Sequence, residues 1–328
     1  MSADPSIKVL PVPTPFAVGR VNTYLIEDDP LTLVDAGPNS GTSLTTLEAG
    51  LAEHGRRIED LERIVLTHQH IDHIGLAQIL ADRSGAEVCA LDALAPWLAR
   101  YGSAMEEDDD FASALMRRNG IPGDVVVALR AVSSSFRAWG SPVQVTTPLA
   151  AGSSLGFAGR TWEVLHRPGH SPSDTVFHDA ATGDLMAGDH LIKHISSNPL
   201  ISRPLDPDAP ADAPRPRALI TYLQSMRETR EMDLRQVLSG HGEPIDDHRT
   251  LIDERLAGHE RRVAKIAGII AGEPKSAFEI AQQMWGNVAV TQAYLTLSEV
   301  LGHVDLLLER GEVREVEDDG VVRFATAA

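Results

Sequence analysis

The sequence predicts an α/β fold built from layers of sheet and helix, followed by a smaller helical piece. Between residues 7 and 91, short apolar runs with strand periodicity alternate with amphipathic helical segments, a pattern typical of α/β proteins. A second group of alternating strands falls between residues 143 and 190. The end of the chain is helical and closes with a hairpin pattern.

Periodicity and turn residues place the elements of the first group. The turn Asp28-Asp29-Pro30 separates two expected strands, and Ser84-Gly85 ends an expected helix. In order, we expect strands at 7–12, 21–26 and 31–34, a helix over 43–55, a run at 58–66 leading into a strand, a helix from 76 to about 83, and a strand at 88–91.

Residues 92–142 predict a helical insertion. Helical spacing recurs around Trp97 and from Phe111 to Asn119, and the acidic run 106–110 between them is expected to face solvent. Such an insertion either packs over the sheet or walls the entrance of a site, since loops on a rigid scaffold often carry the substrate-facing surface. Its aromatic residues would supply an apolar pocket: Trp97, Tyr101, Phe111, Phe136 and Trp139.

The second group of strands is expected to begin near Val143. A long loop rich in proline and aspartate, residues 196–216, separates it from a further helix. We expect strands at 143–146, 161–166 and 175–178 and from 185, then a helix over 217–229 and a strand at 236–239.

The stretch from Thr67 to Gly75 concentrates the polar chemistry of the chain. His68, His70, Asp72 and His73 follow the apolar run Ile64-Val65-Leu66. Imidazole and carboxylate are preferred ligands of Zn²⁺ and related ions. The alternative is a polar surface loop, but such clustering is unusual in a chain with 13 histidines. We therefore predict two adjacent ions that share this loop.

Other polar residues at strand ends are weaker signals when each is taken alone. Asp35 in Asp-Ala-Gly-Pro and Asp189 in Gly-Asp-His could be turn residues, and His170 in Pro-Gly-His is an isolated match. His241 lies between two glycines, which leaves it little room for a packing role. His190 and His194 are expected to be pocket or surface residues, with His190 the better candidate for substrate contact.

The ordered pattern His-x-His-x-Asp-His resembles the signature of the metallo-β-lactamase superfamily, which implies a four-layer αββα sandwich. The resemblance further implies that Asp35 supports the metal site from behind. One ion is assigned to His68, His70 and His170, the other to Asp72, His73 and His241, and Asp189 bridges both. Metal lowers the pKa of water toward about 7, so the implied reaction is hydrolysis by a bridging hydroxide, with Asp72 also moving a proton. Two zinc ions are favoured, with Fe or Mn as alternatives.

The domain prediction is a catalytic domain over 1–250, with the insertion at 92–142, and a C-terminal domain over 251–328. Helices at 251–270, 276–285 and 293–310 precede a hairpin around Asp318-Asp319-Gly320. Helices followed by such a hairpin resemble the winged helix of the lactamase-beta-2-like and glyoxalase II-like relatives. Residues 273–328 hold ten acidic and four basic residues, which argues against a DNA-reading surface. We expect this domain to cover the site, shape its mouth or form a homodimer.

Composition restricts the classes of partner. The formal charge of −18 repels polyanions at long range, so nucleic acid is not the expected partner. The first residues lack the pattern of a secretory signal and no apolar run approaches a membrane span. A cytoplasmic location without membrane contact is therefore expected. The single cysteine, Cys89, is expected to be a core residue.

Three functions compete. The leading hypothesis is a hydrolase of a small or carrier-linked ester, either a thioester or a lactone, because both have electrophilic carbonyls. The second is an endoribonuclease that cuts single-stranded RNA, as in lactamase-beta-2-like proteins. The third is a metal-bound regulator or structural subunit, which the complete ligand set disfavours.

Overall fold

Two sheets lie face to face at the centre of the molecule. The computed structural model describes residues 6–157, 159–206, 209 and 214–327. The first sheet has the order β1-β2-β3-β4-β5-β6, antiparallel up to β3 and parallel from β3 to β6. Its strands are β1 (Ile7–Val12), β2 (Val21–Ile26), β3 (Thr32–Val34), β4 (Arg63–Val65), β5 (Glu87–Leu91) and β6 (Thr147–Leu149).

The second sheet has the order β11-β10-β9-β8-β7, and its β10–β11 pair is parallel. Its strands are β7 (Ser154–Gly156), β8 (Thr161–His166), β9 (Thr175–Asp179), β10 (Asp184–Gly188) and β11 (Gln236–Ser239). The expected strand at 143–146 is wrong: the local strand is Thr147–Leu149, and it closes the first sheet beside β5 rather than opening the second. Alternation in sequence gives strand periodicity but does not say which sheet a strand joins.

The core between the sheets is apolar and includes the buried Cys89. Burial raises the pKa of the Cys89 thiol to about 12, which keeps it uncharged and unreactive near neutrality. Tyr24 and Val65 from the first sheet pack in the same layer as Trp162 and Phe177 from the second.

Helices cover the outer face of each sheet and complete the αββα order expected for the fold. On the first sheet, Leu47 and Leu51 of one helix and Leu80 of another are fully buried. On the second, Leu219 and Met226 are buried in the same way. These helices are α1 (Gly41–Glu53), α3 (Ala77–Ser84) and α7 (Ala218–Arg230); α2 (Ile71–Ile74) is a single turn after β4.

The insertion consists of α4 (Ala95–Ala99), α5 (Tyr101–Arg118) and α6 (Gly123–Phe136). The acidic run that was expected to separate two helices lies inside α5, and Asp109 is buried. Its carboxylate accepts hydrogen bonds from Ser133 and Arg137 at the far end of the insertion. Charge density in the sequence could not reveal partners some 25 residues away, so the prediction of full exposure was wrong at this position.

The C-terminal part packs against α7 and α5 and belongs to the same apolar core as the outer face of the second sheet. Its three long helices and its terminal hairpin follow the order that the sequence predicts. A helical turn, Val288–Thr291, and a short strand, Lys275–Ser276, which makes the sheet three-stranded, were not predicted. Gly302 lies so close to α7 that an added Cβ would be 2.7 Å from Leu219 Cβ. The elements are α8 (His248–Ile270), β12 (Lys275–Ser276), α9 (Ala277–Trp285), α10 (Val288–Thr291), α11 (Ala293–Glu309), β13 (Val313–Asp318) and β14 (Val321–Thr326). The division at residue 250 stays a prediction. Within the described residues, no helix is long and apolar enough to cross a bilayer.

Candidate metal centre and its cavity

The loop after β4 changes direction through the single turn α2, and this turn separates its ligands into two groups. His68 and His70 precede the turn, while Asp72 and His73 lie within it. His68, Asp72 and His73 are buried. One short loop thereby presents side chains to two neighbouring positions, as the sequence predicts.

The first group brings together three imidazoles. His68 Nε2 lies 3.0 Å from His70 Nδ1, and His170 Nε2 lies 2.9 Å from the same atom. His170 comes from the loop after β8, about 100 residues away in sequence. Ligand atoms around a tetrahedral zinc ion are about 3.4 Å apart, so this triangle needs only a small expansion to hold one ion.

The second group joins Asp72, His73 and His241, whose ligand atoms also cluster closely enough for one ion. His241 Nε2 is 3.4 Å from Asp72 Oδ2. Asp189 lies between the groups: one oxygen is 3.5 Å from His73 Nε2, and the other is 3.4 Å from His241 Nε2 and 3.6 Å from His170 Nε2. This is the position that a bridging carboxylate requires.

Three buried atoms that point into the cluster lack a hydrogen-bond partner within the described residues: His73 Nε2, His241 Nε2 and Asp189 Oδ1. A buried unsatisfied polar atom costs about 1–3 kcal/mol. Three of them facing one space, surrounded by nitrogen and carboxylate donors without a thiolate, fit a pair of divalent cations. The chemical type of these donor atoms and their lack of other partners therefore fit the divalent ions that the family resemblance implies.

Most of the imidazoles are anchored through the nitrogen that faces away from the cluster. His170 Nδ1 donates to the Asn198 carbonyl at 3.1 Å, and His241 Nδ1 donates to the Arg20 carbonyl at 2.8 Å. His68 Nδ1 contacts the Thr67 hydroxyl at 3.0 Å. Such contacts fix the tautomer and leave Nε2 free to bind metal.

Asp35 lies behind the cluster, where the resemblance implies a supporting carboxylate, and its partner there is His73. Its carboxylate accepts from His73 Nδ1 at 2.7 Å and from the backbone N–H of Thr67 at 2.9 Å. Its backbone has a φ of 61°, which is uncommon for a residue other than glycine. Strained backbone at such a position is typical of functional sites.

Without ions, charge in the centre is divided between two kinds of histidine. Burial and the neighbouring imidazoles hold the pKa of His68 well below its usual value, and burial lowers the pKa of His70 to about 3. Burial acts in the same direction on His73 and His241, but nearby carboxylates outweigh it. They raise the pKa of His241 to about 9 and that of His73 well above its usual value. Although burial opposes it, these two imidazoliums hold the pKa of Asp189 well below its usual range.

His190 does not reach the cavity, so the substrate contact expected for it is not found. The residue is fully buried, and its Nε2 contacts the Thr229 hydroxyl at 2.9 Å. Its ring packs beside Tyr222, whose hydroxyl donates to the His190 carbonyl. The sequence could not separate a pocket residue from a core residue one position after Asp189. His194 is exposed near Gly242.

A buried polar network behind His170 was not recognised from the sequence. Asp174 accepts from the backbone N–H and the hydroxyl of Ser171 at 2.8 and 2.7 Å. Ser173 donates to the Gln69 side chain and accepts from the Gln69 backbone. The run Ser171-Pro172-Ser173-Asp174 carries a turn signal, but its partner in the metal loop lies about 100 residues away.

A cavity of about 670 Å³ opens directly onto the metal centre, within the usual range of ligand pockets. His70, Asp72, His170 and Asp189 contribute to its wall. Of the aromatic residues expected there, Tyr101 and Trp139 do not line it. The remaining wall is largely apolar and includes Phe16, Trp97, Met105, Phe111, Met116, Leu129, Phe136, Ile192, Ile195, Leu200, Tyr294 and Leu295.

A family model for the metallo-beta-lactamase superfamily matches residues 17–241. The chain belongs to the metallo-beta-lactamase superfamily. It is 33% identical over 316 residues to the probable metallo-hydrolase YqjP of Bacillus subtilis (strain 168), and the match covers 96% of each chain. This superfamily member is a metal-dependent hydrolase.

Structural comparison agrees with this assignment. A crystal structure of a metallo-beta-lactamase family protein from Thermus thermophilus has a TM-score of 0.82 and 27% identity, covering 98% of this chain and 99% of the other. A shorter similarity, 43% identity over 67 residues, relates the chain to the exodeoxyribonuclease WalJ of Streptococcus pneumoniae serotype 2. It covers 20% of this chain and 23% of that protein.

Proposed function

We propose that this superfamily member uses two divalent ions, zinc in the first place, to hydrolyse a thioester or lactone that carries an apolar acyl group. The observation that supports the substrate class is the apolar cavity that opens onto the metal centre. An acyl chain would bury its methylene groups against α5 and α6, at about 0.8 kcal/mol for each buried CH₂. The scissile carbonyl would then lie beside Asp72 and Asp189.

When bound, the ions would polarise the scissile carbonyl and lower the pKa of water. The residues of the chain would position the substrate and transfer the proton. Burial raises the pKa of Asp72, but His241 and His73 outweigh it, and the net shift is downward. Asp72 is therefore ionised at neutral pH, and its carboxylate at the cavity wall can accept a proton and pass it to the leaving group.

An endoribonuclease is the second candidate, because the candidate ligand set of this chain and its short similarity to an exodeoxyribonuclease are compatible with phosphodiester hydrolysis. The cavity supports it less well. The two arginines in its wall, Arg130 and Arg203, are each paired with carboxylates of α5. Paired guanidinium groups offer little net charge to a phosphate backbone.

The helices and hairpin after α8 fit a winged helix, which supports a place in the lactamase-beta-2-like group. The proposed role of this C-terminal part is to cover the site.

The test compares substrates with one metal-loaded protein. Thiol release from acyl-CoA analogues, ring opening of acyl-homoserine lactones, and cleavage of single-stranded RNA are measured in parallel, with His70→Ala as the inactive control. We expect kcat/KM to rise with acyl length for a thioester or a lactone. Absence of both carbonyl reactions, or faster cleavage of RNA, would overturn the proposal.

A further inference from the structure

Residues 197–200, in the long segment between β10 and α7, contact two of the candidate metal ligands, Asp189 and His170. The Ser197 hydroxyl donates to the Asp189 carbonyl at 2.5 Å. The Asn198 carbonyl accepts from His170 Nδ1 at 3.1 Å, and the backbone N–H of Leu200 faces the His170 carbonyl at 3.4 Å. His170 is thus held at both its ring and its backbone by one loop.

The same loop is attached to the first half of α11, in the C-terminal part of the chain. Tyr294 donates its hydroxyl to the Ile201 carbonyl, and the Ser298 hydroxyl accepts from the backbone N–H of Ile201 at 3.3 Å. The Asn198 side chain donates to the Leu295 carbonyl at 3.3 Å. Ile201 itself is fully buried, so its backbone groups depend on these side chains for satisfaction.

We infer that α11 positions the metal ligand His170 through residues 197–201, and that Tyr294, Ser298 and Asn198 are positioning residues of the hydrolase. The inference rests on the proposed function only in taking His170 as a ligand. Groups that orient a ligating histidine commonly change metal affinity 10- to 100-fold when they are removed. Tyr294 and Ser298 contact the segment that holds His170 and not His170 itself. We therefore expect their removal to lower metal affinity by about tenfold, at the lower end of that range.

The test first disables one of the two metal sites, so that Zn²⁺ binding at the other site can be measured by itself. In a His241→Ala background, the remaining strong site is that of His68, His70 and His170; in a His170→Ala background, it is the other site. Tyr294→Phe and Ser298→Ala are introduced together into each, and Zn²⁺ affinity is measured by competition with a chelator. We expect a loss of about tenfold in the first background and none in the second.

The matched control is Thr296→Val on the same helix, because within the described residues the Thr296 hydroxyl bonds only to the backbone carbonyls of Gln292 and Ala293 at the start of that helix. It should leave affinity unchanged in both backgrounds. Thermal unfolding of each metal-free variant reports whether the fold is intact. Equal losses in both backgrounds, or no loss in the first, would overturn the inference.

Zinc affinity does not depend on any substrate. If the wild-type protein hydrolysed no thioester or lactone, the proposed function would fail while a selective loss of zinc would still support the role of α11. A second check is Asn198→Ala, which keeps the carbonyl that His170 contacts and removes only the link to Leu295. It should lower affinity in the His241→Ala background in the same direction.

Discussion

At the scale of single residues, the centre depends on atoms that never touch an ion. Asp35 illustrates this, because one carboxylate fixes both the His73 ring and the start of the metal loop at Thr67. Its left-handed backbone conformation is the cost of placing that carboxylate beneath the site. From the sequence, Asp35 in Asp-Ala-Gly-Pro could be a turn residue or a support for the metal site. Only the fold shows that its carboxylate contacts His73.

Asp35→Asn tests this role, because asparagine tolerates the same backbone conformation but removes the negative charge beside His73. We expect zinc affinity at the site of Asp72, His73 and His241 to fall about 10- to 100-fold. Measurement in the His170→Ala background would isolate that site. Unchanged affinity there would show that Asp35 has only a structural role.

Metal binding should also release protons. The pKa of His241 in the metal-free protein is about 9, so its imidazole is protonated at pH 7, and it must lose that proton to bind an ion. Higher pH then favours the bound state, and apparent affinity should rise between pH 7 and 9 by up to about tenfold per pH unit for each proton released.

Calorimetric titration with Zn²⁺ in buffers of different ionisation enthalpy measures the protons directly. The His241→Ala variant, which lacks one of the imidazoles, should release fewer. A binding enthalpy independent of the buffer would contradict the charge state assigned to the metal-free centre.

At the scale of elements, the sequence located most strands and helices within a few residues. The helices bury one face and show its periodicity, and the central strands, such as β2 and β10, are buried on both faces and read as short apolar runs. The prediction failed where long-range contacts decide. The strand Thr147–Leu149 takes its place from pairing with β5, and helix α5 continues through its acidic run because Asp109 finds partners on the far side of the insertion. Neither partner is local in sequence.

Packing of α11 on α7 can be tested with a pair of helical glycines. Gly302→Ala would place a methyl group 2.7 Å from Leu219 Cβ, and overpacking of this kind costs about 1–3 kcal/mol. Gly268→Ala in α8 is the control, because no atom of the described residues beyond its own helix backbone lies within 4 Å of its added Cβ. There the change should stabilise by about 0.5–1 kcal/mol. Urea unfolding of both variants gives the comparison; equal effects would count against a tight contact.

At the scale of the whole molecule, the candidate metal ligands come from the ends of strands in both sheets. The cavity walls come from the segment before β2, the three helices of the insertion, the segment after β10 and α11. The residues that cluster at the candidate centre could be predicted from the sequence, because their motif is local or follows strand ends in order, and their role as ligands stays a prediction. The lining of the cavity could not be predicted in full from the sequence. Three of the five aromatic residues expected there line it, while Tyr101 and Trp139 do not. Its shape depends on how separate segments meet.

Cavity size should set acyl selectivity. Ala112 on α5 lines the cavity, and Ala112→Leu would fill part of it. We expect kcat/KM to fall about tenfold for long acyl chains, equivalent to the lost burial of one or two CH₂ groups, and to change little for acetyl substrates. Ala114→Leu on the exposed face of the same helix is the control. A uniform decrease for all chain lengths would indicate that acyl groups bind elsewhere.

The separation between a catalytic floor held by sheets and walls built from later segments has an evolutionary consequence. Mutations in the insertion or of the Leu295 side chain can reshape the space above the ions while the coordinating side chains keep their strand-end positions. Proteins that descend from one ancestor with this fold can therefore come to prefer different substrates and still keep the same hydrolytic mechanism.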